Sequence, residues 1–365
     1  MDEKRFARSD QGRRLLPVAG IAALALLAAG TYALVGRGER SAPAAQTGAR
    51  SPTASTAAAT ASASGPATGS TTGNAKASPT PAPTKKPVPS TAASAGKAEP
   101  RFRSGGWPNA SNTGVPEGTK LRTSGPITIT KPGTVIDRLY VKGCIEVLAS
   151  NVTIRRTLVR GGVCGADHSI DIGYGGAKYR GILIEDVEID GARIQARGAA
   201  IGNSGFTCRR CNIHGTARGV QMSSDVVVQD SYIHGLYGTP VSENAPIQTN
   251  GGDHFVIRHN NLVMDDMPGG TSALALFGEF GAIDDVLVER NLFNGGTYCV
   301  YAANDPTKPH PVATRARFVG NAFGRSLHRK CGLYGPVTAW SSKGRGNVWS
   351  GNYWLDTKRI IAAGG

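Results

Sequence analysis

FVIRHNNL at 255–262, VLVERNLF at 286–293 and ARFVGNAF at 316–323 are one pattern written three times. The third and eighth residues of each are apolar, and the sixth is asparagine. Five more segments align with these, so that eight copies begin at Val152, Ile182, Phe206, Val226, Phe255, Val286, Ala316 and Asn347, at intervals of 20 to 31 residues. The third-residue column reads Ile154, Ile184, Cys208, Val228, Ile257, Val288, Phe318 and Trp349. Five residues on, the column reads Val159, Ile189, Ile213, Ile233, Leu262, Phe293, Phe323 and Trp354. The last four copies carry Asn260, Asn291, Asn321 and Asn352 three residues past the anchor.

One or two short apolar strands cannot bury their own face, so a repeat of this kind implies coils stacked around a continuous core. An asparagine amide can donate to the neighbouring coil while its oxygen satisfies backbone at the bend, which explains a fixed polar position inside an apolar pattern. A β-sandwich has no reason to place asparagine at one offset in successive strands. The sequence therefore predicts an all-β chain forming a right-handed parallel β-helix, whose irregular period reflects loops of differing length. Eight coils at ~4.8 Å would make a rod about 40 Å long.

Residues 15–35, LLPVAGIAALALLAAGTYALV, carry no charge, and their length matches the ~30 Å hydrocarbon core at ~1.5 Å per helical residue. They are expected to form one transmembrane signal-anchor helix. Lys4, Arg5, Arg8, Arg13 and Arg14 precede it, so residues 1–14 should be a cytoplasmic tail and the rest of the chain extracellular. The alternative is a signal peptide cleaved near Ala28, Ala29 and Gly30, with secretion. Residues 36–104 are dominated by Ala, Ser, Thr and Pro, a composition that cannot offset the entropy of folding, and read as a disordered linker. The β-helix domain would then occupy 105–365. Of the net +15, residues 1–40 hold +3 and 41–104 hold +6, leaving +6 over the remaining 261 residues. Nucleic acid is therefore discounted as a partner, and anionic membrane or wall polymers fit the basic tail and linker better.

All six cysteines follow residue 140, which agrees with an oxidising compartment. Six cysteines allow 15 pairings. Coil spacing favours Cys144 with Cys164 and Cys299 with Cys331, and Cys208 with Cys211 inside one repeat, although the spacing alone leaves the choice open. Zinc at Cys208 and Cys211 would need further ligands that are not suitably spaced, so no metal site is expected.

Alternation through Ile170–Ile172, Val220–Ser223 and Ile247–Asn250 puts Asp171, Gln221, Ser223, Gln248 and Asn250 on the outside of the rod. Rows of amides suit sugar hydroxyls, which need donors and acceptors together. Gln221, Gln248, Asn250 and Tyr301 are the candidate substrate-binding residues. A Gly-rich turn bears Glu279, and a proline-stiffened insertion bears Asp305, Lys308 and His310. Glycoside hydrolysis needs two carboxyl groups, for which Glu279, Asp305 and Asp171 are candidates. Uronate elimination needs a base and a charge-stabilising cation, for which Lys308 and His310 are candidates. No cofactor is identified from the sequence, and calcium would enter only with lyase chemistry.

Four further stretches carry a resemblance: Gly106–Pro116 (GWPNASNTGVP), the insertion ending at Lys308–Pro311, Lys330–Val337 (KCGLYGPV) and Gly346–Trp349. Through them the chain resembles the pectin-lyase-like right-handed β-helix superfamily, and more closely a group of exported bacterial β-helix repeat proteins. The resemblance covers roughly residues 105–356 and implies the fold. No Asn-Thr-Asp, Arg-Ile-Lys, Arg-x-Pro-x-x-Arg or Asp-Pro-His-Glu element is present, so no catalytic residue carries over. The functional expectation is a membrane-tethered extracellular protein that binds a polysaccharide, with cleavage by a lyase or hydrolase left open. The alternative is a non-catalytic surface scaffold or adhesin.

Overall fold

Each coil contributes three short strands, one to each of three parallel sheets. The computed structural model describes residues 106–363 apart from 174–178, 194–197 and 241–242. Sheet A has ten strands, from Arg122–Ser124 to Tyr353–Trp354; sheet B has nine, from Ile127–Ile129 to Gly335–Thr338; sheet C has nine, from Val135–Asp137 to Val348–Ser350. The chain visits them in the order A, B, C, and each strand pairs in parallel with its counterpart one coil away. Ten strands at ~4.8 Å extend the stack to about 43 Å. The described residues contain no helix. None is therefore long and apolar enough to cross a membrane. The expected tail, membrane span and linker at 1–14, 15–35 and 36–104 lie outside the described residues.

The two apolar columns point into the lumen. Ile154, Ile184, Cys208, Val228, Ile257, Val288 and Phe318 are fully buried, as are Val159, Ile189, Ile213, Ile233, Leu262, Phe293 and Phe323. A further coil precedes the eight expected ones. Its strand Val135–Asp137 supplies Ile136 to the first column, and Val141 supplies the second. The far end of the stack is closed by aromatic packing and by the chain itself. The rings of Phe318, Trp340 and Trp349 pack edge-on or tilted against one another, Trp349 Nε1 donates to Ile361 O at 2.9 Å, and Ile361 N donates to Asn352 O at 2.8 Å. This return segment covers a sheet edge that would otherwise offer unpaired backbone to another chain.

The corner between sheets C and A explains the asparagine column. In every coil one corner residue sits in the left-handed region: Arg138, Arg156, Asp186, Arg210, Asp230, His259, Arg290, Gly320 and Gly351, with φ between 47° and 63°. The sharp bend buries the next residue in eight of the nine coils, and where that residue is polar its side chain satisfies backbone groups. Asn260, Asn291, Asn321 and Asn352 do so in series. Each backbone N–H of Asn260, Asn291 and Asn321 donates to the Oδ1 of the next asparagine at 2.9 Å. The Nδ2 groups also donate to the main-chain carbonyl three residues before the preceding coil's ladder residue: Asn291 to Ile257, Asn321 to Val288 and Asn352 to Phe318. The ladder continues with smaller side chains, since Ser231 N donates to Asn260 Oδ1 and Cys211 N donates to Ser231 Oγ. Thr157 repeats the arrangement by accepting from Leu139 N at 3.3 Å.

The six cysteines fall into three pairs at disulfide spacing: Cys144 with Cys164, Cys208 with Cys211, and Cys299 with Cys331, with Cα separations of 5.8, 6.2 and 5.8 Å. Mass spectrometry of the non-reduced, denatured protein should therefore find no alkylatable thiol. One or more thiols per molecule would show that a pair is open.

Candidate functional site

The outer face of sheet A is already occupied. Residues 106–121 form a strap that runs along it, tied by Asn261 Nδ2 donating to Pro108 O at 3.0 Å and Gly114 N donating to Arg210 O at 2.8 Å. Trp107 stacks on His259 with ring centroids 5.7 Å apart. The polar row on this face satisfies itself. His214 meets Glu188 at 3.2 Å, and His234 meets Asn212 at 3.1 Å while stacking on Tyr232. These histidines follow the solenoid and form no metal set; among the described residues no three His, Cys, Asp or Glu side chains converge as one.

Burial, and then the charge of His214, push the His234 pKa down to about 4. The unfolded value is about 6.5, so the neutral ring contributes stability that is complete above pH 6.5 and lost as pH falls toward 4. Allowing for partial solvent screening, the loss should be about 1–2 kcal/mol. Thermal melts of wild type and His234→Gln at pH 7 and pH 4 should converge in that interval; parallel pH dependence would show that His234 is not the group responsible.

Sheet C presents a charged edge in which successive coils neutralise one another. Arg155 pairs with Asp137 at 3.3 Å, Arg209 with Glu185, and Arg258 with Glu289. Sheet B is different. Its outward row, read coil by coil, is Thr128, Glu146, Asp171, Gly202, Gln221, Gln248, Ala275, Tyr301 and Thr338. The expected outward residues Asp171, Gln221 and Gln248 all lie in it, but two of them are not at the surface.

Asp171 is fully buried. The segment from Cys164 to His168 folds over it, and Asp171 Oδ1 meets His168 Nδ1 at 2.6 Å, Asn203 Nδ2 at 3.2 Å and Ala166 N at 3.3 Å. The His168 ring lies against Gly202, where a Cβ atom would meet it at 2.1 Å. Asp171 stands four coils from Ala275, about 19 Å at ~4.8 Å per coil. A glycosidase pair lies within ~10 Å, so Asp171 is not the carboxyl partner of Glu279. Gln248 is also buried, at 4 % exposure, and its Nε2 donates to Gln221 Oε1 at 2.6 Å. It therefore orients Gln221 from the adjacent coil.

The remaining candidates gather around one turn, 277–281. On one side, Gln221, Ser223 and Asn250 line a cavity of about 330 Å³ together with Phe280. Phe280 is held there by its N–H donating to Asn250 O at 2.8 Å, and its ring is 82 % exposed. On the other side the insertion from the next coil closes down. His310 N donates to Gly278 O at 2.9 Å, and Lys308 Nζ lies 2.7 Å from Glu279 Oε2 and 5.3 Å from the centre of the Phe277 ring. The base of the insertion is stapled by Asn304, whose Oδ1 accepts from Ala313 N at 3.1 Å. Glu279, Lys308 and His310 are thus brought to one place, as their loops suggested.

Their chemistry is narrower than the residue types allow. The hydrogen bond to Glu279 raises the Lys308 pKa above lysine's ordinary value, so Lys308 is a cation and not a base. Asp305 accepts from Thr307 N at 2.9 Å and from Thr307 Oγ1 at 2.6 Å, which gives it the work of a turn cap. Tyr301 meets Phe277 edge-on at 5.3 Å and Tyr298 edge-on at 5.8 Å, and Tyr298 lies 5.8 Å from the exposed Tyr334. Phe277, Phe280, Tyr298 and Tyr334 were not among the sequence candidates. The alternation Leu274–Phe277, which turns Phe277 outward, was the one local signal for any of them.

Fold and face together define a three-sheet parallel β-solenoid with an aromatic and amide-lined strip along sheet B. No family model, curated protein or solved structure matches the chain.

Proposed function

We propose that the strip along sheet B binds a polysaccharide, in a protein that is exported, tethered to the membrane through residues 15–35, and built as a right-handed β-helix of the pectin-lyase-like kind. The observation that carries this reading is the turn 277–281. It sets the exposed Phe280 ring beside Gln221, Ser223 and Asn250, and sets Phe277 and Glu279 against Lys308. Sugars present apolar ring faces and hydroxyls at once. Aromatic platforms next to paired donors and acceptors answer both. Lys308 adds a fixed cation for an acidic sugar, held by Glu279 and free to exchange one carboxylate for another. Binding is favoured over cleavage because Asp171 is remote, Asp305 caps its own turn, and Lys308 is held protonated.

The test uses the full-length chain on immobilised uronate and neutral polysaccharides. Retention should fall at least ~10-fold in Phe280→Ala, whose ring makes no core contact, and in Lys308→Gln for the uronates alone. Following unsaturated products and reducing ends in the same incubations separates a binder from a lyase or hydrolase. No retention on any glycan would leave the scaffold reading as the better one.

A further inference from the structure

Arginine stands at the corner between sheets C and A in four coils, as Arg138, Arg156, Arg210 and Arg290. Arg156 pairs with Asp137 of the coil before at 2.6 Å, Arg210 with Asp186 of the coil before at 2.6 Å, and Arg290 with Glu289 of its own coil at 3.6 Å. Within sheet C, Arg317 pairs with Asp285 at 3.2 Å. Arg138 occupies the same left-handed corner position in the first full coil. One coil earlier, where its carboxylate partner would stand, the chain has Lys120 and Arg122 instead. Arg122 N donates to Arg138 O at 3.0 Å, which makes the two neighbours.

The three cations surround open space. Where the strap ends against the first coil, a cavity of about 750 Å³ is lined by Glu117, Lys120, Arg122, Asp137, Arg138 and Arg156. Asp137 is already engaged by Arg155 and Arg156. Lys120, Arg122 and Arg138 form no salt bridge among the described residues, and Glu117 is the one other carboxylate on the wall. A volume of this size is that of a small-molecule site. Guanidinium forks match the two oxygens of a carboxylate or phosphate.

We infer that this cavity is an anion-binding site for a segment of acidic polymer bearing carboxylate or phosphodiester groups, separate from the strip on sheet B. Cationic side chains also blunt open sheet edges against self-association. That role needs charge at the edge but no ligand, so it predicts no change in anion affinity when the cations are neutralised.

The full-length chain is titrated by calorimetry with a galacturonate oligomer and with a glycerol-phosphate oligomer, at low and at physiological salt. Arg122→Gln with Arg138→Asn should weaken at least one of them ~10-fold or more, with the difference shrinking as salt rises. Asparagine is chosen at 138 because it tolerates the left-handed conformation. Arg122→Gln alone, on an exposed strand end, keeps the test valid if the double variant folds poorly, and should weaken binding at least threefold. A loss confined to the phosphate oligomer assigns a phosphodiester, and one confined to galacturonate assigns a carboxylate. Phe280→Ala should leave the phosphate titration unchanged, which separates this site from the sheet B strip. Affinities unchanged in the arginine variants, or lowered equally by Arg317→Gln at a paired arginine elsewhere, would overturn the assignment.

Discussion

Replacing Asn321 with alanine is expected to lower stability by about 2–4 kcal/mol, because the change strands several buried groups at once. Asn321 Oδ1 accepts from the N–H of Asn291 at 2.9 Å and from its Nδ2 at 3.0 Å, while Asn321 Nδ2 donates to Val288 O at 2.8 Å. No water reaches these partners, since Asn291 and Asn321 are fully buried. Asn109→Ala is the matched control. Its side chain also makes several hydrogen bonds, to Ser111 and Trp107, but at exposed positions where solvent can take over. Chemical denaturation of the two variants should separate them by at least ~1 kcal/mol. Equal midpoints would mean that the asparagine column is not what holds adjacent coils in register.

Asp171→Ala should prove comparably damaging, at about 2–4 kcal/mol, while leaving retention on polysaccharide within about twofold after correction for folded fraction. The carboxylate organises His168, Asn203 and the backbone of Ala166 under a loop pinned by Cys164 to Cys144. Its removal leaves the buried imidazole and two part-buried N–H donors without their acceptor. Gly202→Val would attack the same arrangement from the other side by displacing the His168 ring. Should Asp171→Ala fold normally and lose glycan retention, the residue belongs to the binding strip after all.

Both residues show which features a sequence exposes. Asn260, Asn291, Asn321 and Asn352 were legible because the corner meets the same demand with the same residue in four successive coils, and a repeated solution leaves a repeated letter. Ser231 and Thr157 meet that demand with a hydroxyl, which looks like any turn residue, so the upper ladder was invisible. The coil at Val135–Asp137 was missed for a similar reason. Its two columns carry Ile136 and Val141, but Leu139 stands at the polar position, so nothing marked it as a repeat. Alternation placed Asp171 and Gln248 correctly outside the lumen. It could not reveal what lies over them, because alternation reports the side of a strand and the covering segment comes from elsewhere in the chain. Glu279 and Lys308 were placed on adjacent loops by chain order; their direct pairing depends on side-chain directions that no pattern encodes. The strap left no local trace at all, since Pro108 and Asn261 meet across a separation of 153 residues.

The strap also decides how the molecule answers a pull. A solenoid held by its first strand would be unwound coil by coil from that end. Here the chain reaches the surface of the stack beside His259, in the sixth of the nine coils of sheet C, and only then runs back to the first. Tension on the chain ahead of Gly106 therefore loads Trp107 and Pro108 before any strand of the first coil. The strap lies along the stacking axis with its leading end over the sixth coil, so force directed away from the first coil must shear its contacts together, whereas force directed back toward the first coil peels them one at a time. The resistance of the fold to being drawn out should thus depend on direction, with the strap serving as a mechanical fuse that spares the hydrogen-bonded coils beneath it.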